Sequence, residues 1–177
     1  IGSPAVLRDR SKPYTAEKNI IIESLSISAL TVRVNYLAKD KSQHTGALFM
    51  IDVDNFKMVN DLNGHVIGDE VLKAFGTLLK ESFAIDDIVG RAGGDEFIVF
   101  VKEIEDEIQA QKKANEVCQK IREIYIEDFK GSISCSIGIA FYPKHGITFK
   151  TLYNLADQAL YQTKNQGRNG YTCYIEK

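Results

Sequence analysis

The order of apolar and polar residues along the chain predicts a series of short helices and strands. Apolar residues recur at helical spacing from about residue 15 to residue 37, which predicts a helix in one or two pieces. The run GALFMIDV over 46–53 is almost wholly apolar and predicts a buried strand. Further helices are predicted over about 54–61, 69–83, 104–124 and 148–165, and further strands over 87–90, 97–101, 132–142 and 171–175. This order predicts one mixed sheet that is packed by helices.

Polar residues and glycines mark the ends of several of these elements. Asp54 directly follows the buried strand, where an aspartate can cap the next helix. Residues 62–68 contain two glycines and predict a loop between that short helix and the following one. Gly167 stands where the last helix should end, and glycine is common there because it tolerates a left-handed backbone.

The composition is that of one soluble globular domain, with 177 residues, of which 44% are hydrophobic and 26% charged. The net charge of −2 argues against a broad surface for nucleic acid or membrane, although a local group of cations can still bind a small anion. Three cysteines without C-x-x-C spacing predict neither a zinc site nor a disulfide framework. They favour a reducing, cytoplasmic location.

The segment RAGGDEF over 91–97 places two glycines and two acids between two apolar strands. Gly93 and Gly94 predict a two-residue hairpin turn, because such turns need positive φ. A hairpin of this kind with solvated acids is also common without any function. If the strand ending at Asp52 lies beside it, however, Asp52 converges with Asp95 and Glu96. Clustered carboxylates repel one another and need a cation, for which Mg²⁺ is suited.

Asp52 and Lys57 form a second candidate group, since one ends a strand and the other lies in the first turn of a predicted helix. The free amides of a helix start favour an anion. With a carboxylate for a divalent cation and a lysine for a phosphate, the segment predicts a site for a metal-bound triphosphate. The alternative is that Asp54 only caps the helix and Lys57 is solvated.

Asn60 and Asp69 flank the glycine-containing segment and form a third candidate group. One carboxylate can accept both donors of a guanine edge, and an asparagine can pair with a neighbouring edge. Adenine would leave Asp69 unpaired, which would discriminate against it. Alternatively, Asp69 is a helix cap and His65 is a local hydrogen-bonding residue.

Lys164 and Arg168 lie at the end of the last predicted helix. They are suited to the β- and γ-phosphates of a nucleotide. The alternative is that they only balance the negative end of the helix.

Together these segments resemble the GGDEF domain of diguanylate cyclases over roughly residues 46 to 175. The motifs are D-x-D-x-F-K (52–57), N-D-x-x-G-H-x-x-G-D (60–69), R-x-G-G-D-E-F (91–97) and K-x-x-G-R (164–168). The resemblance implies an α+β fold related to the polymerase palm and to class III nucleotide cyclases. Its sheet would be central, mixed, mainly antiparallel and five-stranded, and flanked by helices. The expected division is a linker or cloning remnant over 1–14, a helical lead-in over 15–45 and the catalytic domain over 46–177.

The resemblance also implies an activity and the residues that serve it. Two domains would meet face to face and condense two GTP into cyclic di-GMP and two pyrophosphates, as in bacterial second-messenger signalling. Two Mg²⁺ or Mn²⁺ ions would bind per GTP site. By this resemblance, the metal ligands would be Asp52, Asp95 and the Val53 carbonyl, and Glu96 would serve the second metal or the 3′-OH. The guanine would be read by Asn60 and Asp69, with His65 nearby, and the missing side chains of Gly93 and Gly94 would leave space for GTP. Charge on the phosphates would be stabilised by Lys57, and the terminal phosphates would be held by Lys164 and Arg168.

The expected partners are GTP, a second copy of the domain and an upstream sensor domain, with no nucleic acid or membrane contact by this fragment. The location would be cytoplasmic, with any membrane anchor in upstream segments. The entry segment over 28–36 keeps only part of the family pattern, which leaves a weak or silent GTP-binding regulatory domain as an alternative. A cyclase for an adenine-containing dinucleotide is a third. Ala84 replaces the arginine of the R-x-x-D product site that ends at Asp87, which predicts weak product inhibition.

Overall fold

A computed structural model describes residues 27–37 and 45–176. The described elements are α1 (Ile27–Leu37), β1 (Gly46–Val53), α2 (Phe56–Ser82), β2 (Ile88–Gly93), β3 (Glu96–Val101), α3 (Glu107–Lys120) with a 3₁₀ turn after it (Ile121–Glu123), β4 (Cys135–Tyr142), α4 (Phe149–Asn165) and β5 (Gly170–Cys173). The predicted linker, the first part of the helical lead-in and the polar segment that follows α1 lie outside the described residues.

The five strands form one sheet in the order β2-β3-β1-β4-β5. All neighbours are antiparallel except β4 and β5, which are parallel. The predicted mixed, mainly antiparallel five-stranded sheet is therefore confirmed. The central strand β1 is buried along its whole length because helices cover both faces of the sheet. Phe49 and Ile51 pack with α2 and α3, whereas Leu48 and Met50 pack with α1 and α4.

The helix α4 lies directly on β4 because Gly138 has no side chain. A Cβ at Gly138 would stand 2.0 Å from the carbonyl oxygen of Ala156 and 2.2 Å from the amide nitrogen of Leu160. Near the end of α4, the Thr163 hydroxyl lies 2.9 Å from the carbonyl oxygen of Ile137 and donates to it. This close packing brings the last turn of α4 to the edge of the sheet where β1 ends.

The helix α2 differs from its prediction. It runs from Phe56 to Ser82, and within it only Gly64 leaves the helical conformation, with φ 82° and ψ 161°. The predicted loop over 62–68 is therefore wrong, although the break itself is real. Asn63 holds the chain at the break, since its Oδ1 accepts from the amide of Lys130 at 2.7 Å.

One predicted cap, one turn and one helix boundary also need correction. Asp54 does not cap α2; the cap position is taken by Asn55, whose φ is 53° and whose side chain makes no capping hydrogen bond. In the hairpin, Gly93 pairs with Glu96, so the turn residues are Gly94 and Asp95 rather than the two glycines. The helix α3 is shorter than predicted and begins after Asp106, whose carboxylate accepts from the Gln109 amide at 2.7 Å. In the described part of the chain, no helix is long and apolar enough to span a bilayer.

Candidate active site

The acids predicted to converge do lie together, at the end of β1. In the register of β1 with β3, Asp52 stands opposite Glu96. One residue further on, the amide of Val53 donates to the carbonyl oxygen of Asp95 at 3.2 Å. The condition for convergence, that the strand ending at Asp52 lies beside the hairpin, is therefore confirmed.

The hairpin leaves open space next to these acids. Gly93 has φ 154° and Gly94 has φ 51°, conformations that favour glycine. A Cβ at either position would have no other atom within 4 Å, so the glycines border a free surface. Arg91 steadies the turn, because its Nε donates to the carbonyl oxygen of Gly94 at 2.8 Å.

Asp52 is held in an environment that disfavours its charge. The pKa of Asp52 is raised from 3.8 to about 6, mainly by burial and in smaller part by the negative charges of Asp95 and Glu96. Lys164 opposes this shift in the pKa of Asp52, because its Nζ lies 3.0 Å from the carboxylate Oδ2. A buried carboxylate with two acidic neighbours requires a cation, and in this structure Lys164 supplies it.

These residues fit a magnesium ion that is shared with a nucleotide. Among the described residues, no three acidic, histidine or cysteine side chains lie close enough to hold a metal by themselves. Mg²⁺ is commonly held by one or two carboxylates together with substrate phosphates rather than by a complete protein cage. Asp52 and the adjacent turn acids meet that requirement.

The residues predicted to read guanine lie on α2. Gly68 is buried against Asn60, and a Cβ at Gly68 would stand 1.8 Å from the Asn60 Oδ1. The absent side chain therefore makes room for the Asn60 amide. His65 and Asp69 are exposed. Between the described side chains, no hydrogen bond or ion pair joins either of them to the acids at the end of β1.

Two basic side chains of the candidate site lie near helix ends, one at the start of α2 and one after the end of α4. Lys57 is exposed in the first turn of α2, whereas Arg168 is exposed just after α4. The chain around Arg168 is sharply turned, and Gly167, Arg168 and Asn169 have φ values of 112°, 64° and 53°. Gly167 thus takes the positive φ that was predicted for the residue ending the helix.

Asp54 is the main residue of this region that the sequence left without a correct role. It is 5% exposed and accepts hydrogen bonds from Ser134 Oγ, Ser136 Oγ and the Asn169 amide at 2.6, 2.6 and 3.0 Å. These donors are 80, 82 and 115 residues away along the chain, so no local pattern could have found them.

Tyr153 on α4 was also not predicted to be near the site. Burial raises the pKa of Tyr153, and the negative charges of Glu96 and Asp157 add to this effect. Its ring packs beside Phe149, with the two ring centres 5.6 Å apart. The periodicity of α4 identified an apolar face, but the register of α4 against the hairpin needed the structure.

Comparison with known proteins identifies the family. The family model described as diguanylate cyclase, GGDEF domain, matches residues 28–170. The chain belongs to the GGDEF domain family. Its sheet, its acid-bearing hairpin and its kinked α2 are therefore features of a GGDEF domain.

Curated relatives are longer than this chain. The chain is 39% identical over 131 residues to MucR of Pseudomonas aeruginosa, named a bifunctional diguanylate cyclase/cyclic di-GMP phosphodiesterase, and the match covers 73% of this chain and 19% of MucR. It is 37% identical over 134 residues to the diguanylate cyclase DgcS of Shewanella oneidensis, covering 74% of this chain and 43% of DgcS. The chain thus spans less than half the length of either relative.

A solved structure shares the fold. The crystal structure of the GGDEF domain of YfiN (TpbB) from Pseudomonas aeruginosa superposes with a TM-score of 0.82 at 29% identity. The match covers 89% of this chain and 100% of that chain.

Proposed function

We propose that this GGDEF domain is a diguanylate cyclase that condenses two GTP into cyclic di-GMP and two pyrophosphates. The observation that carries the proposal is the pairing of Asp52 with Glu96 across β1 and β3, with Asp95 in the adjoining turn. This places acids from two separate motifs at one open surface. Two relatives that are named as diguanylate cyclases, MucR and DgcS, are similar to this chain over 131 and 134 residues, which supports the same activity.

Each group of the site would have a part in binding or reaction. Asp52, the Val53 carbonyl and Asp95 would hold Mg²⁺ or Mn²⁺, two ions per GTP site, and Glu96 would face the second ion or the reacting 3′-OH. Bound there, the ions would neutralise charge on the triphosphate and favour ionisation of the hydroxyl.

The remaining residues would orient the nucleotide. Asn60, His65 and Asp69 would lie at the guanine, and the open surface at Gly93 and Gly94 would admit the phosphates close to the backbone. Lys57, Lys164 and Arg168 would hold the triphosphate by charge.

Two copies of the domain are needed for this reaction. Each GTP supplies a 3′-OH to the α-phosphate of the other, so one domain carries only half of the reacting atoms. We therefore propose a homodimer at the moment of reaction, brought together in the longer protein by an upstream sensor domain.

A catalytically silent, GTP-binding regulatory domain is the second candidate, because the entry segment departs from the family pattern. The described part of that segment nevertheless packs on the rest of the domain. Leu30 and Val34 are fully buried against the sheet, and the Asn35 Oδ1 accepts from the amide of Phe149 at 2.9 Å. The altered residues therefore leave α1 attached to α4, which removes one reason for preferring the silent domain.

One assay separates these candidates. The chain is incubated with Mg²⁺ and GTP, with and without ATP, over a series of protein concentrations, and the products are resolved by chromatography. We expect cyclic di-GMP, with a specific activity that rises with protein concentration, and no adenine-containing product. GTP binding without any dinucleotide, even when the domain is forced to dimerise, would favour the silent domain. A dinucleotide that contains adenine would favour the third alternative, a cyclase for an adenine-containing dinucleotide.

A further inference from the structure

Asp54 is the second acid of the D-x-D-x-F-K motif, and the chemistry proposed above leaves it without a task. Its carboxylate is buried and accepts from three donors at 2.6–3.0 Å. Two donors are the hydroxyls of Ser134, just before β4, and Ser136, at the start of β4, and the third is the backbone amide of Asn169. Asp54 therefore connects the end of β1 to the turn that follows α4.

The turn after α4 needs such a support. Arg168 and Asn169 are not glycines, yet both have positive φ, at 64° and 53°. This conformation is costly for arginine, less so for asparagine, and is kept where surrounding contacts hold it. Three contacts do so here. The Arg168 amide donates to the Thr163 carbonyl at 3.1 Å, the Asn169 amide donates to Asp54, and Arg122 Nη2 donates to the Asn169 Oδ1 at 2.7 Å.

The consequence concerns the side chain of Arg168. It is long, exposed and charged, so the direction in which it leaves the backbone sets which positions its guanidinium can reach. Asp54 is two residues after Asp52, and Asn169, whose amide donates to Asp54, is one residue after Arg168. One carboxylate thus connects the strand that carries Asp52 to the turn that carries Arg168.

We propose that Asp54 is a positioning residue that holds the 167–169 turn and thereby aims Arg168 at the terminal phosphates of the nucleotide. The proposal rests on the proposed function, since it assumes that the site binds GTP. It assigns Asp54 no direct contact with metal or substrate.

The test uses the full chain and compares two nucleotides that differ at the phosphate end. Affinities for GMP and for 3′-deoxy-GTP, which lacks the reacting hydroxyl, are measured by calorimetry for the wild type and for Asp54→Asn. We expect the variant to lose about tenfold in affinity for the triphosphate, the equivalent of one charge-assisted hydrogen bond, with GMP affinity unchanged. Hydrogen exchange at the Asn169 amide, followed by NMR, should become faster in the same variant.

Arg168→Gln supplies the matched comparison. It should show the same selective loss, and the double variant should lose little more than either single variant, because both changes disable one guanidinium. Asp106→Asn removes a remote carboxylate that also accepts from a backbone amide, and it should leave the ratio of the two affinities unchanged. If Asp54→Asn does not fold, Ser136→Ala removes one of its three donors and should give a smaller loss, again only for the triphosphate.

Several outcomes would overturn the proposal. Equal weakening of GMP and triphosphate, or a lower melting temperature with an unchanged affinity ratio, would each show a merely structural carboxylate. Unchanged exchange at the Asn169 amide would show that Asp54 does not hold the turn. Weaker Mn²⁺ binding by Asp54→Asn without nucleotide would show a metal ligand instead. If the wild type bound neither nucleotide, the proposed function would fall as well, whereas wild-type binding with no effect of Asp54→Asn overturns this proposal alone.

Discussion

Lys164 Nζ lies 3.0 Å from Oδ2 of Asp52, so an ammonium group stands beside the carboxylate that the proposed site offers to a metal ion. The pair is partly buried, with 31% of the lysine side chain and 10% of the aspartate side chain exposed. The same lysine is suited to a nucleotide phosphate. Lys164 therefore has two competing anions, Asp52 in the structure described and the triphosphate in the proposed complex.

This competition predicts that Lys164→Gln strengthens metal binding when no nucleotide is present. The divalent ion would no longer displace an ammonium group from Asp52, and we expect the affinity for Mn²⁺ at pH 8 to rise about tenfold, or ~1.4 kcal/mol. Affinity for 3′-deoxy-GTP should fall in the same variant, because a phosphate contact is lost. Mn²⁺ binding is followed by electron paramagnetic resonance.

The control for this change is Lys73→Gln, which removes the same charge from an exposed pair with Glu70 on α2. It should alter neither affinity, since a surface pair contributes little and lies away from the acids. Unchanged or weaker Mn²⁺ binding by Lys164→Gln would contradict the competition.

The raised pKa of Asp52 predicts a change in stability with pH. The folded-state pKa of about 6 exceeds the ordinary value of 3.8, so the folded protein holds this proton more tightly than the unfolded chain. The contribution of Asp52 to stability is fully present below about pH 4 and is lost as the pH rises to 6. A shift of about 2 pKa units corresponds to at most ~2.7 kcal/mol of stability. Screening by solvent reduces this figure, and so does the ion pair with Lys164 that a substitution of Asp52 would remove.

Asp52→Asn should therefore be more stable than the wild type at pH 8 by about 1 kcal/mol, although it lacks a proposed metal ligand. The difference should disappear below about pH 4, where the carboxyl is protonated in both states. Urea unfolding at pH 4, 6 and 8 measures it. A variant that is less stable at pH 8, or a difference independent of pH, would show that burial does not disfavour this charge.

The convergence of Asp52 with the hairpin could be predicted because it needs only one assumption about neighbouring strands. Strand patterns and the acids that follow them are local features, and β1 and β3 proved to be neighbours. The role of Asp54 could not be predicted in this way. A capping aspartate and one that bonds Ser136 look alike in sequence, and the difference arises only when β4 pairs with β1.

The predicted loop over 62–68 was wrong for a related reason. Glycine signals both a break in a helix and a place of close packing, and the sequence does not separate the two. Gly64 breaks the helix, whereas Gly68 stays helical and makes room for Asn60.

That contact predicts the effect of Gly68→Ala. The new methyl group would stand 1.8 Å from the Asn60 Oδ1, so the asparagine must move away. We expect little change in stability, because the end of the Asn60 side chain can move and alanine favours a helix more than glycine does, but a loss of most of the proposed preference for guanine over adenine nucleotides. Denaturant unfolding and binding of 3′-deoxy-GTP and 3′-deoxy-ATP measure the two effects.

A second substitution tests whether Asn60 carries the preference. Asn60→Ala in the Gly68→Ala background removes the displaced amide, so the preference for guanine should stay lost and the stability should again change little. If the double variant regained that preference, Asn60 would have no part in reading the base.

Cyclic di-GMP should not inhibit this protein through the R-x-x-D product site that ends at Asp87. Ala84 is exposed and provides no guanidinium, and both oxygens of Asp87 are occupied by the chain itself. Oδ2 accepts from the Ala84 amide at 2.9 Å and Oδ1 from the Lys102 amide at 3.0 Å. Asp87 thus closes the turn between α2 and β2, a task that does not need a ligand. We expect added cyclic di-GMP to slow the wild type only by competing with GTP.

Ala84→Arg should create the missing inhibition, because an arginine can hold a phosphate or a guanine edge through two parallel hydrogen bonds. Initial rates at several GTP and cyclic di-GMP concentrations would then show a non-competitive component that the wild type lacks. Ala84→Gln, which adds bulk at the same exposed position without the charge, should behave like the wild type. Non-competitive inhibition of the wild type at micromolar product would mean that this surface binds cyclic di-GMP without an arginine at position 84.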